Sequence, residues 1–166
     1  LKANNKQNII NNLKNTKNVN FEFEQNINKK IEKGNCIVEY PKKIFCEYSG
    51  KNNKILVSNG RSLVIKTKAS YYRYPLEKTP LNLILDKDYL INKIVNLEER
   101  VIDESFINFT IRENDIEINI FFDDRTFNLI GWQTKDIYQN LTITFISSIK
   151  RNEIFDKDIF KLPVKN

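Results

Sequence analysis

No histidine and no methionine occur among the 166 residues, and cysteine, glycine and proline number only two, four and four. Without histidine there is no Ser-His-Asp or Cys-His nucleophile system and no H-E-x-x-H zinc site. Two cysteines and no histidine fall short of the usual ligands of a structural zinc site. Only carboxylate, lysine or tyrosine chemistry remains. The adjacent pairs Asp123-Asp124, Glu98-Glu99 and Asp103-Glu104 do not serve it, because neighbours on a strand point to opposite faces and do not converge. No run approaches the ~18 apolar residues that a membrane-spanning helix needs. No signal peptide is visible either, although the chain begins at Leu1 rather than Met, as a mature chain does after its leader is removed.

What is present describes a folded chain. At 40% hydrophobic and 11% aromatic residues, this length buries a real core, and one domain over 1–166 is expected. The charge is uneven. Residues 1–80 carry 16 Lys/Arg and 6 acids, whereas 81–166 carry 11 and 15, giving the net +6; no Asp precedes Asp86. A basic half can face a nucleic acid or a membrane. The abundant Asn, Ile and Lys, all encoded by A/T-rich codons, account for much of it as compositional drift. Lys66, Lys68, Arg73 and Lys78 among Tyr71, Tyr72 and Tyr74 could stack and neutralise a single strand. They equally describe a sheet edge protected by lysine. The second reading is the simpler one, and no nucleic-acid partner is expected.

Periodicity supplies the architecture. Ile9, Ile10 and Leu13 lie three and four apart, which predicts an amphipathic helix within 1–18. From Val19 the period becomes two: Val19, Phe21, Phe23, Gln25 and Ile27 alternate with polar residues, as in a half-buried strand. Strands are predicted at 36–40 and 44–48 around Pro41, and at 54–58 and 62–66 around Asn59-Gly60, read as a type I′ turn. A further strand is expected at 71–74. Thr79-Pro80 reads as an N-cap followed by the first helical residue of a helix over 79–85, with a second short helix at 89–94. Strands resume at 100–103, 106–112, 115–122, 126–134 and 140–149, followed by a turn at 156–160. Ten or eleven short strands without a βαβ rhythm predict a mainly β fold with few helices. A large antiparallel sheet, curled toward a barrel and closed by helices, is the natural solution.

Three features admit two readings each. The alternating apolar residues are either ordinary core or the wall of a cavity for an apolar ligand. The apolar 79–85 segment is either a permanent plug or a movable lid. Cys36 and Cys46 fall roughly opposite each other across the Pro41 hairpin, within disulfide range. They are either a disulfide or two small buried thiols.

The run Gly34-x-Cys36-Ile37-Val38-Glu39-Tyr40-Pro41-Lys42-Lys43-Ile44-Phe45-Cys46-Glu47-Tyr48 is followed by Ile55-Leu56-Val57-Ser58-Asn59-Gly60. Then come Tyr74-Pro75-Leu76-x-x-Thr79-Pro80-Leu81, Gly131-Trp132 and Phe160-Lys161-Leu162-Pro163, with Phe21-x-Phe23-x-Gln25 upstream. In this order and spacing, over about 19–163, the chain resembles the LolA family of periplasmic outer-membrane lipoprotein carriers. The resemblance implies an incomplete, half β-barrel closed by a helical lid, in a protein that is not an enzyme and needs no cofactor. It implies that the chain takes acylated lipoprotein cargo from an inner-membrane ABC exporter and passes it to an outer-membrane receptor, as a monomer in the periplasm. A membrane-anchored, LolB-like receptor is the related alternative. From strand parity through Tyr40 and Cys46, the acyl-chain wall would be Phe23, Val38, Tyr40, Cys46, Tyr48 and Leu56. The lid would be Thr79, Pro80, Leu81, Leu83 and Ile84. Two positions depart from the family. Tyr40 stands where an arginine that hydrogen-bonds the lid is common, so latching is expected to be weaker or rearranged. Cys46 replaces an aromatic, and a periplasmic setting favours its pairing with Cys36.

Overall fold

The computed structural model describes residues 4–135 and 140–166. Residues 1–3 of the stretch read as helical lie outside the described residues. Helix α1 (Asn5–Lys14) starts where the Asn4 side chain accepts from the Lys6 N–H, and it buries Ile9, Ile10 and Leu13. These are the residues whose spacing predicted the helix. Six strands follow: β1 (Asn18–Ile27), β2 (Lys30–Glu39), β3 (Lys43–Tyr48), β4 (Ile55–Asn59), β5 (Ser62–Lys66) and β6 (Tyr71–Pro75). A 3-10 turn at Leu76–Lys78 leads into α2 (Leu81–Ile84) and α3 (Lys87–Asn96). The chain then returns through β7 (Arg100–Ile102), β8 (Phe106–Glu113), β9 (Ile116–Asp123), β10 (Leu129–Lys135) and β11 (Leu141–Arg151).

All eleven strands form one antiparallel sheet in the order β6-β5-β4-β3-β2-β1-β11-β10-β9-β8-β7. The two strand series are therefore each a simple meander, joined by the pairing of β1 with β11 from Val19↔Arg151 to Ile27↔Thr142. The outer strands β6 and β7 do not pair with each other, so the sheet is an incomplete barrel.

The turns correct two readings. β2 begins at Lys30, six residues before the predicted strand. The cause is the tight turn Asn28-Lys29, with φ of 48° and 73°, which sends the chain straight back along β1. Residues 30–35 hide this strand because their inward positions are Glu32 and Gly34 rather than apolar side chains. At Asn59-Gly60, only Gly60 takes a positive φ, 99°. The Asn59 side chain instead accepts from the Arg61 and Ser62 N–H groups. The turn is thus not the predicted type I′, whose two central residues both need positive φ.

The inward parity of the sheet carries the core. Phe21, Phe23, Cys36, Val38, Ile44 and Cys46 from one half meet Phe109, Ile118, Ile120, Phe122, Trp132 and Ile146 from the other. Ile84, Leu85, Leu90 and Ile94 of the helical segment cover them, with Ile9 and Leu13 of α1. A smaller cluster lies on the opposite face. Val57 and Val64 are directly paired, point away from the concave side and are almost completely buried. The 3-10 turn Lys157–Phe160 packs against this side of β3 and β4 and buries Phe160. The chain end continues past it, where the Tyr71 hydroxyl donates to the Pro163 carbonyl at 3.0 Å.

Cys36 and Cys46 are directly opposed across β2 and β3 and are joined as a disulfide. Closing a loop of this size constrains the unfolded chain by about 2–3 kcal/mol. Reduction, or Cys36→Ser with Cys46→Ser, is expected to lower unfolding stability by that amount in urea titrations. Thiol titration of the untreated denatured protein should find no free thiol.

Candidate functional site

The concave face is not filled everywhere. Between β1–β4, β10, β11 and α2 lies a cavity of about 130 Å³. Its wall is formed by Phe21, Phe23, Cys36, Ile44, Cys46, Tyr48, Leu56 and Trp132, and its roof by Pro80, Leu81 and Ile84. A second recess of about 30 Å³ adjoins it, sharing Phe21, Ile84 and Trp132 and reaching Val38, Tyr40 and Leu85. A cavity of ~150 Å³ lined by aliphatic and aromatic side chains stays dry and accepts a benzene-sized group. The main cavity is of that order in volume, although Gln25, Thr134, Thr142 and Thr144 also line it.

Each wall residue is placed by its strand. Phe23, Gly34 and Tyr48 form one cross-strand row. A Cβ on Gly34 would sit 2.1 Å from the Glu47 carbonyl oxygen and 2.8 Å from the Phe23 ring. Only glycine leaves the space in which Phe23 and Tyr48 meet edge to face at 5.0 Å. Beyond Tyr48 the face becomes polar. The Lys54 ammonium lies 4.4 Å from the Tyr48 ring centroid and donates to both oxygens of Glu32, at 3.1 and 3.0 Å. Burial, and secondarily the Glu32 carboxylate, push the Tyr48 hydroxyl well above its ordinary range.

The roof is a single helical turn, too short to persist without packing. Ile84 and Leu85 are almost completely buried beneath it, and both its ends are tied down. At the entry, Leu76 donates its N–H to the Arg61 carbonyl, and the Thr79 hydroxyl donates back to the Leu76 carbonyl. Thr79 has extended backbone ahead of a helical Pro80, as the Thr-Pro pattern suggested, but its side chain closes the preceding turn and does not cap the helix. At the exit, the Lys42 N–H donates to the Leu85 carbonyl at 2.8 Å, and the Lys42 ammonium lies 3.6 Å from Asp86. Asp86 also caps α3 by accepting from the Tyr89 N–H. Lys87 donates to the Thr16 carbonyl at 2.7 Å and lies 5.7 Å from the Tyr40 ring centroid. The charged tethers at the exit of α2 therefore come from Lys42 and Lys87, beside Tyr40 rather than at it. Desolvation raises the Tyr40 hydroxyl to about 12.

Of the residues singled out from sequence, Phe23, Cys46, Tyr48 and Leu56 line the main cavity, and Val38 and Tyr40 line the adjoining recess. Pro80, Leu81 and Ile84 face the main cavity. Thr79 and Leu83 line neither space; Leu83 packs on the core from the side. Phe21, Ile44 and Trp132 are wall residues that the list lacks. The first two share the parity of Phe23 and Cys46, so the alternation already marked them. Trp132 comes from the far half, which sequence parity could not relate to the near half without the β1–β11 pairing. Among the described residues, no group of three or more acidic or cysteine side chains is placed to hold a metal ion, and no helix is long and apolar enough to cross a membrane.

An open antiparallel half-barrel whose apolar concave wall is roofed by one tethered helical turn defines a carrier-type binding fold. The family model described as outer membrane lipoprotein carrier protein LolA matches residues 14–163. The chain belongs to that family. No curated protein sequence matches it. Among solved structures, an uncharacterized conserved protein from Thermus thermophilus is similar at TM-score 0.56 and 7% identity, covering 95% of this chain and 93% of that one. MucB in the Pseudomonas aeruginosa MucA/MucB complex is similar at TM-score 0.55 and 10% identity, over 97% of this chain and 62% of MucB. A LolA superfamily protein from Nitrosomonas europaea aligns over 96% of this chain and 99% of that one, at 10% identity and TM-score 0.46. For the Thermus thermophilus protein and MucB, at these identities, the likeness is one of fold.

Two measurements follow. Asp86→Ala is expected to cost about 1 kcal/mol through loss of the α3 cap. Asp86→Asn keeps a capping oxygen and loses only the pair with Lys42, costing a few tenths of a kcal/mol. Urea unfolding of both variants separates the two roles. Free tyrosine titrates near 10, below Tyr40 at about 12 and below Tyr48, which is raised further. The unfolded chain thus loses these protons first, and stability falls as pH rises from about 10 toward 12. Tyr40→Phe should flatten part of that loss in unfolding curves recorded between pH 9 and 12.

Proposed function

We propose that this protein is a periplasmic carrier that shields the acyl chains of lipoproteins on its concave face. It would take them from an inner-membrane ABC exporter and deliver them to an outer-membrane receptor. The observation that carries this reading is the apolar cavity closed by one tethered helical turn, in a chain of the LolA family. On this reading 1–166 acts as one domain and as a monomer, and the protein is a binder rather than an enzyme.

The magnitudes fit a carrier. The closed cavity holds a group of about benzene size, far less than an acyl chain, so loading requires α2 to lift. Exposing the buried Ile84 and Leu85 costs ~1.5–3 kcal/mol each, whereas each buried methylene of the cargo returns ~0.8 kcal/mol. About four to eight methylenes therefore offset the opening, and the remainder of the chain supplies net affinity. Because the opening cost is subtracted once from the binding free energy, the cargo stays releasable when a receptor offers a better site.

The test is release from membranes. Inner-membrane vesicles containing the exporter and an acylated lipoprotein are incubated with purified protein and ATP. The expected result is a soluble one-to-one complex that forms with acylated but not with unacylated cargo. Cargo that stays in the membrane, or release that ignores acylation, contradicts the proposal.

A further inference from the structure

The main cavity is apolar on one side only. Its floor toward the Ile27 end of β1, the Lys135 end of β10 and the Leu141 end of β11 carries Gln25, Thr134, Thr142 and Thr144. Register places them as a block. Thr134 is directly opposite Thr142, while Thr144 is opposite Gln25 on one side and Trp132 on the other. Directly opposed inward side chains lie ~4.5–5.5 Å apart, so one ligand group reaches both hydroxyls of a pair. The Gln25 amide donates to the Thr144 hydroxyl at 3.0 Å, which orients that pair. No described residue hydrogen-bonds the hydroxyls of Thr134 or Thr142. The next row along the face, Phe23 and Ile146, is apolar.

An apolar tail does not need this block. Valine would serve a hydrocarbon better and would be equally at home in a strand. Free hydroxyl donors beside an apolar wall suit a ligand that is hydrocarbon along most of its length and carries hydrogen-bond acceptors at one end. The neighbouring Glu32–Lys54 pair is internally neutralised, whereas the exposed Lys30 stands opposite Ile27 in the row of Thr142. What the two hydroxyls themselves offer is donation to a neutral acceptor, and a carbonyl fits them.

We propose that Thr134 and Thr142, with Thr144 and Gln25 behind them, bind the ester carbonyls that join acyl chains to a glycerol backbone. The cargo is thereby oriented with its linkage beside Thr134 and Thr142 and its chains toward Trp132 and Phe21. This rests on the acyl-carrier reading and adds a polar subsite to it. Ester-linked chains occur in lipid-modified peptides and in phospholipids, and the test separates the two.

Displacement of an apolar fluorescent probe is measured with a synthetic S-diacylglyceryl-cysteine peptide, its diether analogue lacking the carbonyls, and diacyl phosphatidylglycerol. The wild type is expected to bind the ester peptide about tenfold more tightly than the diether. Thr134→Val with Thr142→Val should abolish that preference, bringing the two affinities together. Thr134→Ser with Thr142→Ser, which keeps the hydroxyls, should retain it. A wild type that binds both peptides equally, or a valine variant that keeps the preference, overturns the subsite alone. A wild type that binds none of the three ligands overturns the carrier reading with it. Binding of phosphatidylglycerol but of neither peptide, weakened about tenfold in the valine variant, upholds the carbonyl subsite and overturns lipoprotein as its source.

Discussion

An antiparallel sheet of eleven strands that curls without closing leaves an apolar concave face, and water has to be kept from it. Most of the architecture answers that single requirement. The pairing of β1 with β11 joins two meanders into one wall. α1 and α3 cover the wall with Ile9, Leu13, Leu90 and Ile94, all nearly inaccessible. The one stretch of wall without a long helix above it is roofed by α2, four residues in length. Because so short an element fits the curved surface imperfectly, the space beneath it remains empty, and that space is the candidate site.

On the proposed carrier reading, roof and cargo compete for the same surface. Ile84 and Leu81 occupy with their own side chains part of what an acyl chain would occupy, so the closed state is a self-bound state. Polar contacts at the exit of α2 fix it: the Lys42 N–H to the Leu85 carbonyl, the Lys42–Asp86 pair, and Lys87 against Thr16 and the Tyr40 ring. None is a deeply buried charge pair, and exposed pairs contribute ~1 kcal/mol or less each. On the proposed reading, a latch of this strength holds a roof at rest and yields to a few buried methylenes. Around Tyr40 the charged contacts at this exit are those of Lys42 and Lys87.

Much of this was legible in the residues. The alternation from Val19 to Ile27, the apolar spacing of α1 and the Thr-Pro start of the roof each reflect a local periodicity that tertiary structure preserves. Parity through Tyr40 and Cys46 also reached the right face, since Phe23, Cys46, Tyr48 and Leu56 converge on one cavity. What escaped has physical causes. The first half of β2 is inward-facing with Glu32 and Gly34, so no hydrophobic period marks it. Thr134, Thr142 and Thr144 look like ordinary strand residues until the register sets them side by side. Val57 and Val64 break the one-sided pattern because the chain end covers the outer face. Trp132 belongs to the wall only through a pairing between strands more than a hundred residues apart in sequence.

The central claim is that cargo enters by displacing α2 from the concave face. Amide hydrogen exchange of the intact protein, with and without a diacylated peptide, tests it most directly. The N–H of Lys42 bonds the Leu85 carbonyl, and those of Ile84 and Leu85 bond Pro80 and Leu81. Binding should speed exchange at these three amides while β1 and β11 stay protected. Unchanged or slower exchange at Lys42, Ile84 and Leu85 in a demonstrably loaded protein would contradict the account.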